Sequence, residues 1–303
     1  MFRLPSPIEV VNNHPFSFQF WVKRDDLIHP QISGNKYRKL KYNLQQFPDA
    51  GKQGILTFGG VYSNHLHATA AACHHFNIPC AAIVRGEDHH PHPTLDYLRS
   101  RAMNLHFVSR EAYRNKDQHP QVQAIQALYP NYQILPEGGS NDLALEGCKE
   151  IVLEWMAQDC NADYVTLAAG TGATSAGIIA GIRMHHLSTR ALVFSVLKGD
   201  FIRHQINQFN GEILDDYYCS DEAALGGYAT TTDDYLRFVS RFEAATGIEV
   251  DPVYNGKVLY GLSLLEQRSF FKPSDKVLWI HTGGLQGKAG FADKLKTINQ
   301  TPQ

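Results

Sequence analysis

The chain has 303 residues, of which 43% are hydrophobic and 19% are charged, an ordinary globular composition at a length typical of about two domains. Its 28 basic and 30 acidic side chains nearly cancel, giving a formal charge of -2, which argues against a nucleic-acid-binding face and against a polybasic membrane anchor. The mean hydropathy is -0.29 and no apolar run approaches the roughly 18 residues of a membrane span, so no membrane partner is expected.

Apolar, β-rich runs alternate with helical stretches along the chain. The predicted strands lie at 16–22, 54–58, 80–84, 105–108, 164–168, 191–197 and 276–281. The predicted helices lie at 35–46, 64–76, 142–157, 175–185, 233–245 and 256–267. Short buried strands that alternate with helices are typical of βαβ units, so the sequence predicts an α/β fold with mainly parallel sheets. The histidine- and proline-rich segment 89–93 is predicted to be a surface loop.

Turns rich in glycine or polar residues lie near the ends of the predicted strands, where the chemistry of open α/β sheets collects. They are SGNKYRK at 33–39, FGGVYSNH at 58–65, PEGGSN at 136–141, GTGATSAG at 170–177 and IHTGG at 280–284. GTGATSAG predicts a phosphate site, because glycines allow a tight bend and the free amides of a helix start face an anion. A turn without a ligand and a dinucleotide site are the alternatives, although no acidic residue ends the next strand as the dinucleotide motif requires.

Lys36 stands at the start of a predicted helix. The positive end of the helix dipole favours the uncharged amine there, and uncharged lysine amines are the ones that form Schiff bases. A solvated lysine beside Arg38 and Lys39 is the competing interpretation.

Ser63, Asn64 and His65 occupy a second helix start, behind two glycines. Ser63 and Asn64 can cap the helix, or the turn can cradle a substrate carboxylate with its free amides and hydroxyls. A metal site is disfavoured, since the paired histidines lack the i,i+4 spacing of H-E-x-x-H, and a serine hydrolase is disfavoured because no G-x-S-x-G elbow occurs.

The compartment is inferred from the N-terminus and the cysteines. MFRLPSPIEV has no apolar segment of the kind found in a secretory signal. The five cysteines are odd in number and form no CxxC pair, so free thiols in a reducing compartment are expected. The sequence therefore predicts a cytoplasmic enzyme or binding protein.

Six motifs occur in one order: KRDDL at 23–27, GNKYRKL at 34–40, GGVYSNH at 59–65, GTGATSAG at 170–177, DPVYNGK at 251–257 and IHTGG at 280–284. With these motifs the chain resembles the 1-aminocyclopropane-1-carboxylate deaminase and D-cysteine desulfhydrase family, from about residue 21 to residue 291. Its members are pyridoxal-phosphate enzymes of the tryptophan synthase β-subunit fold. The resemblance implies two open, twisted, mainly parallel sheets flanked by helices, with pyridoxal 5'-phosphate in the cleft between two domains.

The resemblance also implies how the cofactor is held. Lys36 would form the Schiff base, Asn64 would contact the phenolic oxygen, and Thr282 would stand beside the pyridine nitrogen. Lys39 would assist the phosphate-binding turn. The residues of that turn are Gly170, Thr171, Gly172, Ala173 and Thr174.

The substrate residues implied by the resemblance come from two motifs. Ser63, Asn64 and His65 would receive the substrate carboxylate, Ser63 as part of the catalytic group. Tyr254 would stand near the reacting carbons as a proton-transfer group.

Departures from the family pattern bear on the substrate. Deaminase members carry glutamate where this chain has Asn255 and an apolar residue where it has Thr282, so a protonated pyridine is disfavoured and elimination of a good leaving group is favoured. The region of the family's second active-site tyrosine reads GGYATTT at 226–232, where Tyr228 is the candidate replacement.

The preferred interpretation is a lyase that converts a small amino acid, D-cysteine first, to pyruvate and ammonia with loss of sulfide. Deamination of aminocyclopropane carboxylate to 2-oxobutanoate and a non-catalytic cofactor-binding protein are the alternatives. A larger domain is expected at 1–47 and 156–303, with a smaller α/β domain inserted at 48–155. The resemblance suggests a homodimer.

Overall fold

The computed structural model describes residues 1–49, 51–88 and 90–300. Residue 89 of the predicted loop, residue 50 of the predicted smaller domain and residues 301–303 of the predicted larger domain therefore lie outside the described residues. In chain order the strands are β1 (Ile8–Val10), β2 (Gln19–Lys23), β3 (Gly54–Gly60), β4 (Cys80–Arg85), β5 (Asn104–Val108), β6 (Tyr132–Ile134), β7 (Tyr164–Ala169), β8 (Arg190–Ser195), β9 (Tyr218–Ser220) and β10 (Lys276–Ile280).

Every strand from β2 onward is followed in the chain by one or two helices. They are α1 (Asn35–Gln46), α2 (Asn64–His75), α3 (Pro93–Ser100), α4 (Arg110–Arg114), α5 (Pro120–Ala127), α6 (Asp142–Ala157), α7 (Ala173–Met184), α8 (Phe201–Asn210), α9 (Asp233–Thr246), α10 (Asn255–Gln267) and α11 (Ala292–Gln300). Within the described part of the chain, no helix is long and apolar enough to cross a membrane.

The strands form two separate sheets. One has the order β1-β2-β10-β7-β8-β9 and is parallel except for the β1–β2 pair, and the other has the order β5-β4-β3-β6 and is parallel throughout. The predicted α/β fold with two mainly parallel sheets is confirmed. The domain boundaries at 47/48 and 155/156 stay a prediction.

Both sheets are covered on both faces, which explains their near-continuous apolar strands. Along β8, Leu192 and Phe194 pack into a core with residues of α9 and α10, whereas Ala191 and Val193 pack into a second core with residues of α6 and α7. In the smaller sheet, one face packs on α2 and α3 and the other on α4 and α5. The alternation along each strand therefore places helices on either side of it.

A buried charge network fixes the position of α1. The side chain of Arg38 is fully buried and bonds to Asp25 (Nη2 to Oδ1, 2.9 Å) and to Glu154 of α6 (Nη1 to Oε1, 2.6 Å). Lys23, at the end of β2, reaches the second oxygen of Glu154 at 2.9 Å. Because all these charges are paired, the network is compatible with the interior, and it ties α1 to α6 and to the larger sheet.

Candidate active site

A cavity of about 890 Å³ is lined by residues that follow strands of both sheets. The smaller sheet contributes residues at the ends of β3 and β4, and the larger sheet contributes those at the ends of β7 and β8. The predicted site residues that line it are Lys36, Lys39, Ser63, Asn64, His65, Gly170, Thr171, Gly172, Thr174 and Tyr254. The predicted Ala173 and Thr282 are not among the described lining residues, and both are buried.

Lys36 is the second residue of α1, and its Nζ donates to Asn35 Oδ1 at 2.9 Å. Its poor access to water and the nearby ammonium of Lys39 lower the pKa of Lys36 from 10.5 to about 7. A large part of this amine is therefore neutral near pH 7. This is the protonation state that a carbonyl-reactive lysine requires.

The 170–177 turn joins β7 to α7 and leaves the first amides of α7 unpaired. Gly172 has a left-handed φ of 81° and precedes the first residue of the helix. The hydroxyl of Ser175 is buried, its residue lines the cavity, and it has no hydrogen-bond partner among the described residues. An orphaned donor beside unpaired amides fits a phosphate group, so this turn matches the implied cofactor.

Lys39 joins the phosphate-binding turn to the 136–141 turn. Its Nζ donates to Thr171 Oγ1 (3.1 Å), Ser140 Oγ (3.0 Å) and the carbonyl oxygen of Gly138 (3.1 Å). Burial lowers the pKa of Lys39 to about 8, so at pH 7 the side chain still carries its charge. It places a positive charge beside the phosphate-binding turn.

Replacement of Gly172 by valine is expected to weaken cofactor retention about tenfold or more, equivalent to roughly 1.4 kcal/mol. The left-handed φ disfavours a branched side chain by about 1–2 kcal/mol, and the new Cβ would lie 2.9 Å from Gln205 Cβ. Cofactor dissociation measured by dialysis and absorbance tests this. Gly211→Val is the control, because Gly211 has a φ of 72° with nothing within 4 Å of a Cβ. Equal cofactor loss in both variants would contradict the prediction.

The 58–65 turn places three polar residues at the start of α2. Ser63 Oγ accepts from Leu66 N at 3.2 Å, so Ser63 caps the helix as predicted. Asn64 does not cap it, because it is the first helical residue and its Oδ1 accepts from Gln286 Nε2 at 2.7 Å. Both residues also line the cavity, and their amides are at a helix start. Capping therefore leaves the predicted binding of a carboxylate possible, and that role stays a prediction.

His65 is directed into the fold. Its Nε2 lies 2.6 Å from Thr57 Oγ1 and its Nδ1 lies 3.4 Å from Thr69 Oγ1. Burial, Lys36 and Lys39 hold the pKa of His65 well below its ordinary value, so the ring is neutral. A contact between His65 and a substrate carboxylate would therefore be made by its main-chain amide and not by its ring.

Tyr254 lies directly above the phosphate-binding turn, since a Cβ on Gly170 would be 3.0 Å from its Cε1 atom. Its ring packs edge-on against that of Tyr228, with centroids 6.0 Å apart. Burial and the neighbouring Tyr228 hold the pKa of Tyr254 well above its ordinary value. Tyr254 is thus a protonated group within the cavity, and Tyr228 supplies a second hydroxyl.

Asn255 uses all of its side-chain hydrogen-bonding capacity within the protein. Its Nδ2 donates to Asp251 Oδ1 (2.7 Å) and to the Gly283 carbonyl oxygen (2.8 Å), and its Oδ1 accepts from the amide (3.1 Å) and hydroxyl (3.4 Å) of Thr282. Asp251 also accepts from the amide of Tyr254 at 2.8 Å. One buried network therefore holds the 251–257 and 280–284 segments together.

The 280–284 turn also approaches the start of α1 closely. Gly34 has a φ of 63°, and a Cβ there would lie 1.9 Å from the carbonyl oxygen of Thr282. The amide of Asn35 donates to the same oxygen at 3.4 Å. Only glycine permits this contact, which sets Lys36 and Thr282 beside each other.

Several residues that line the cavity were not predicted from the sequence. Arg85 ends β4, Arg110 begins α4 and Glu137 lies in the 136–141 turn. The signal for Arg85 was available, because the strand predicted at 80–84 ends directly before it and polar residues at strand ends face the cleft. Glu137 lies in a turn that the sequence did single out, at 136–141, and Arg110 follows the strand predicted at 105–108, but neither side chain was assigned a role.

Lys257 holds the segment that carries Tyr228. Its buried Nζ donates to the carbonyl oxygens of Ala224 (2.9 Å) and Gly227 (2.7 Å), and burial lowers its pKa to about 8. Lys257→Met is expected to lower the free energy of unfolding by about 1.5–3 kcal/mol, because two charge-assisted hydrogen bonds are lost. It should also raise amide hydrogen exchange at 224–228. The exposed Lys272→Met is the control, and unchanged exchange in Lys257→Met would contradict the prediction.

The chain is similar to known proteins both in sequence and in fold. A bifunctional D-cysteine desulfhydrase/1-aminocyclopropane-1-carboxylate deaminase, named as mitochondrial, from Arabidopsis thaliana is 31% identical and covers 98% of this chain and 80% of its own. A solved homologue of ACC deaminase superposes with a TM-score of 0.85 at 24% identity, covering 98% of this chain and 94% of that one.

The fold is shared more widely. The processed form of threonine deaminase isoform 2 from Solanum lycopersicum superposes with a TM-score of 0.69 at 14% identity, covering 98% of this chain and 88% of that one. The family model described as pyridoxal-phosphate dependent enzyme matches residues 4–283. This match and the Arabidopsis relative lead to one conclusion: the chain belongs to the pyridoxal-phosphate dependent enzymes.

Proposed function

We propose that this enzyme eliminates sulfide from D-cysteine, giving pyruvate, ammonia and sulfide with the uptake of water. The observation that carries the proposal is that one cavity is lined by both a partly neutral lysine amine and a protonated tyrosine. Lys36 has a pKa of about 7, and Tyr254 has a pKa well above its ordinary value. A β-elimination needs both a base for the Cα proton and a proton donor near the departing group.

Different residues of the cavity would hold the cofactor and the substrate. Lys36 would hold the cofactor covalently, and the 170–175 amides with Ser175 would hold its phosphate. When bound, pyridoxal phosphate supplies an electron sink for the negative charge that develops at Cα. The amides and hydroxyls at 63–65 would bind the substrate carboxylate and fix the Cα–H bond toward Lys36.

Proton movements follow from the same pKa values. Once the substrate amine has taken its place on the cofactor, Lys36 would be a free neutral amine that accepts the Cα proton. Tyr254, protonated at neutral pH, would donate toward the sulfur as the Cβ–S bond breaks. Sulfur leaves with the bonding electrons. The aminoacrylate that remains then hydrolyses to pyruvate and ammonia.

Substrate choice rests on Asn255 and Thr282. Neither side chain carries a negative charge, and the amide of Asn255 is already committed to Asp251, Gly283 and Thr282. A protonated pyridine nitrogen would therefore lack a carboxylate partner from Asn255, and the electron sink would be weaker. Loss of thiolate needs less support than opening of a cyclopropane ring, which has no electronegative leaving group.

We therefore expect release of sulfide from D-cysteine to exceed formation of 2-oxobutanoate from aminocyclopropane carboxylate by about tenfold or more, or roughly 1.4 kcal/mol of barrier. Assays of pyruvate, 2-oxobutanoate and sulfide over matched D- and L-amino acids measure this directly. Comparable rates, or a preference for the cyclopropane, would contradict the argument from Asn255 and Thr282.

The deaminase activity remains the second candidate, because the Arabidopsis relative is named for both reactions. A protein that has lost turnover is less well supported, since the 226–232 segment brings Tyr228 against Tyr254. No product from any member of the panel would favour that third interpretation.

We also propose a cytoplasmic location, a homodimer and a division into domains at 1–47 with 156–303 and at 48–155. The cysteines of the described residues are free thiols, which supports a reducing compartment. The four-stranded sheet is built from strands within 48–155, and the six-stranded sheet from strands outside that range, which supports the division. Sedimentation and limited proteolysis test the last two proposals.

A further inference from the structure

A second recess of about 480 Å³ adjoins the cavity described above. It is lined by Arg85, Arg110, Tyr113, Arg114, Lys116 and Glu137. Arg85, Arg110 and Glu137 line both spaces, so the recess and the cavity form one continuous region. We call it the basic recess.

The charges of the basic recess do not balance. Glu137 is its single carboxylate, and it pairs with Lys116 at 3.3 Å. Arg85, Arg110 and Arg114 have no ion-pair partner within the described ranges of the chain. The recess therefore holds an excess of positive charge in a concave surface, which focuses the field on an anion.

Arg85 stands between the recess and the carboxylate-binding turn. Its guanidinium lies over the ring of Tyr113, with 5.4 Å from Cζ to the ring centroid. A Cβ on Gly60 would lie 3.4 Å from Arg85 Nη2, and the carbonyl oxygen of Gly60 accepts from the amide of Ser63. A substrate held at 63–65 therefore has a guanidinium close by, on the side of the recess.

We propose that the basic recess binds a second acidic group, carried on the side chain of the amino-acid substrate. This inference rests on the proposed function, because it takes the 63–65 turn as the site of the α-carboxylate. The planar fork of Arg85 matches a carboxylate or another oxyanion with two hydrogen bonds, and Arg110 adds charge from α4. D-cysteine has no such group, so an amino acid with an acidic side chain would bind at the same site more tightly than D-cysteine does.

The test compares binding of D-aspartate and D-asparagine, which have nearly the same shape and differ in charge. Calorimetry on the holoenzyme at low salt should give a Kd at least tenfold lower for D-aspartate. The difference should shrink as salt is added, because the arginines are exposed to solvent. In Arg85→Gln/Arg110→Gln the two Kd values should agree within about twofold, with D-asparagine binding retained.

The control is Arg190→Gln, an exposed arginine at the start of β8, at the other end of that strand from the cleft. It should keep the wild-type preference. Thermal melting verifies that each variant is folded. If the double variant does not fold, Arg110→Gln alone is used instead, and it should show a preference for D-aspartate between that of the wild type and none. Equal binding of the two ligands to the wild type would overturn the inference.

Two further outcomes separate this inference from the proposed function. Equal weakening of both ligands by Arg85→Gln would overturn it by assigning Arg85 to the α-carboxylate. Pyruvate release from D-cysteine is measured in parallel, so turnover without a preference for D-aspartate defeats the inference alone. A preference for D-aspartate without turnover of D-cysteine would support binding of an acidic side chain in the basic recess and would contradict D-cysteine as the substrate.

Discussion

Replacement of Lys36 by alanine is expected to abolish covalent attachment of the cofactor and to lower turnover by about 10³-fold or more. The variant loses both the amine that holds the cofactor and the base for the Cα proton, and a general base alone contributes roughly 10²–10⁴-fold. Borohydride reduction followed by peptide mass spectrometry locates the attachment site. In the wild type the label should fall on the peptide containing Lys36.

Lys39→Ala is the informative comparison, because Lys39 lies one turn away in the same helix. It should keep the covalent label while it loses affinity for the cofactor, since the charge beside the phosphate-binding turn is gone. Lys39 helps to lower the pKa of Lys36 to about 7, so in the wild-type apoenzyme the pH dependence of covalent attachment should have its midpoint near pH 7. In Lys39→Ala this midpoint should lie at a higher pH. A label on Lys39, or a retained label in Lys36→Ala, would refute the assignment.

Arg38→Met should destabilise the protein by about 3–5 kcal/mol, the usual consequence of removing one partner from a buried ion network. The substitution leaves the carboxylate of Asp25 buried without its bidentate partner and removes one partner of Glu154. Urea unfolding followed by circular dichroism measures the loss. A change below about 1 kcal/mol would show that the network contributes little.

Lys41→Met provides a matched control. Lys41 is also on α1 and pairs with Glu150 of α6, but both side chains are partly exposed, so about 0–1 kcal/mol is expected. The network also predicts a pH dependence. Burial alone would raise the pKa of Glu154, but Arg38 and Lys23 lower it to about 2 from 4.5. Its contribution is therefore complete above about pH 4.5, is lost as the pH falls toward 2, and should be smaller in Arg38→Met.

The sequence predicted the longer elements well because their periodicity is strong. The helix predicted at 35–46 agrees with α1, and that at 142–157 agrees with α6. The strands β1, β6 and β9 have three residues each and were missed. So short a run shows no alternation of its own, and its pairing depends on neighbouring strands that are distant in the chain.

The site shows the same division between local and distant information. Lys36 and the 170–177 turn were predicted because their chemistry is local: a lysine at a helix start and free amides after a strand. The bond of His65 to Thr57 and the bonds of Asn255 to Thr282 and Gly283 were not predicted, because these partners come from other elements. The contact of Tyr228 with Tyr254 likewise depends on the 224–228 segment, which Lys257 holds by its carbonyls.

Because Gly34 lies against the carbonyl oxygen of Thr282, the residues of these two segments cannot be substituted independently of each other. The segments that carry Lys36 and Thr282 are in van der Waals contact, so an insertion or a side chain in either displaces the other. The 58–65 turn and Arg85 belong instead to the four-stranded sheet. We therefore expect that contacts with the acidic groups of a substrate can be changed in that sheet's loops alone, whereas a change at Lys36 or Thr282 requires coordinated substitutions in both of their segments.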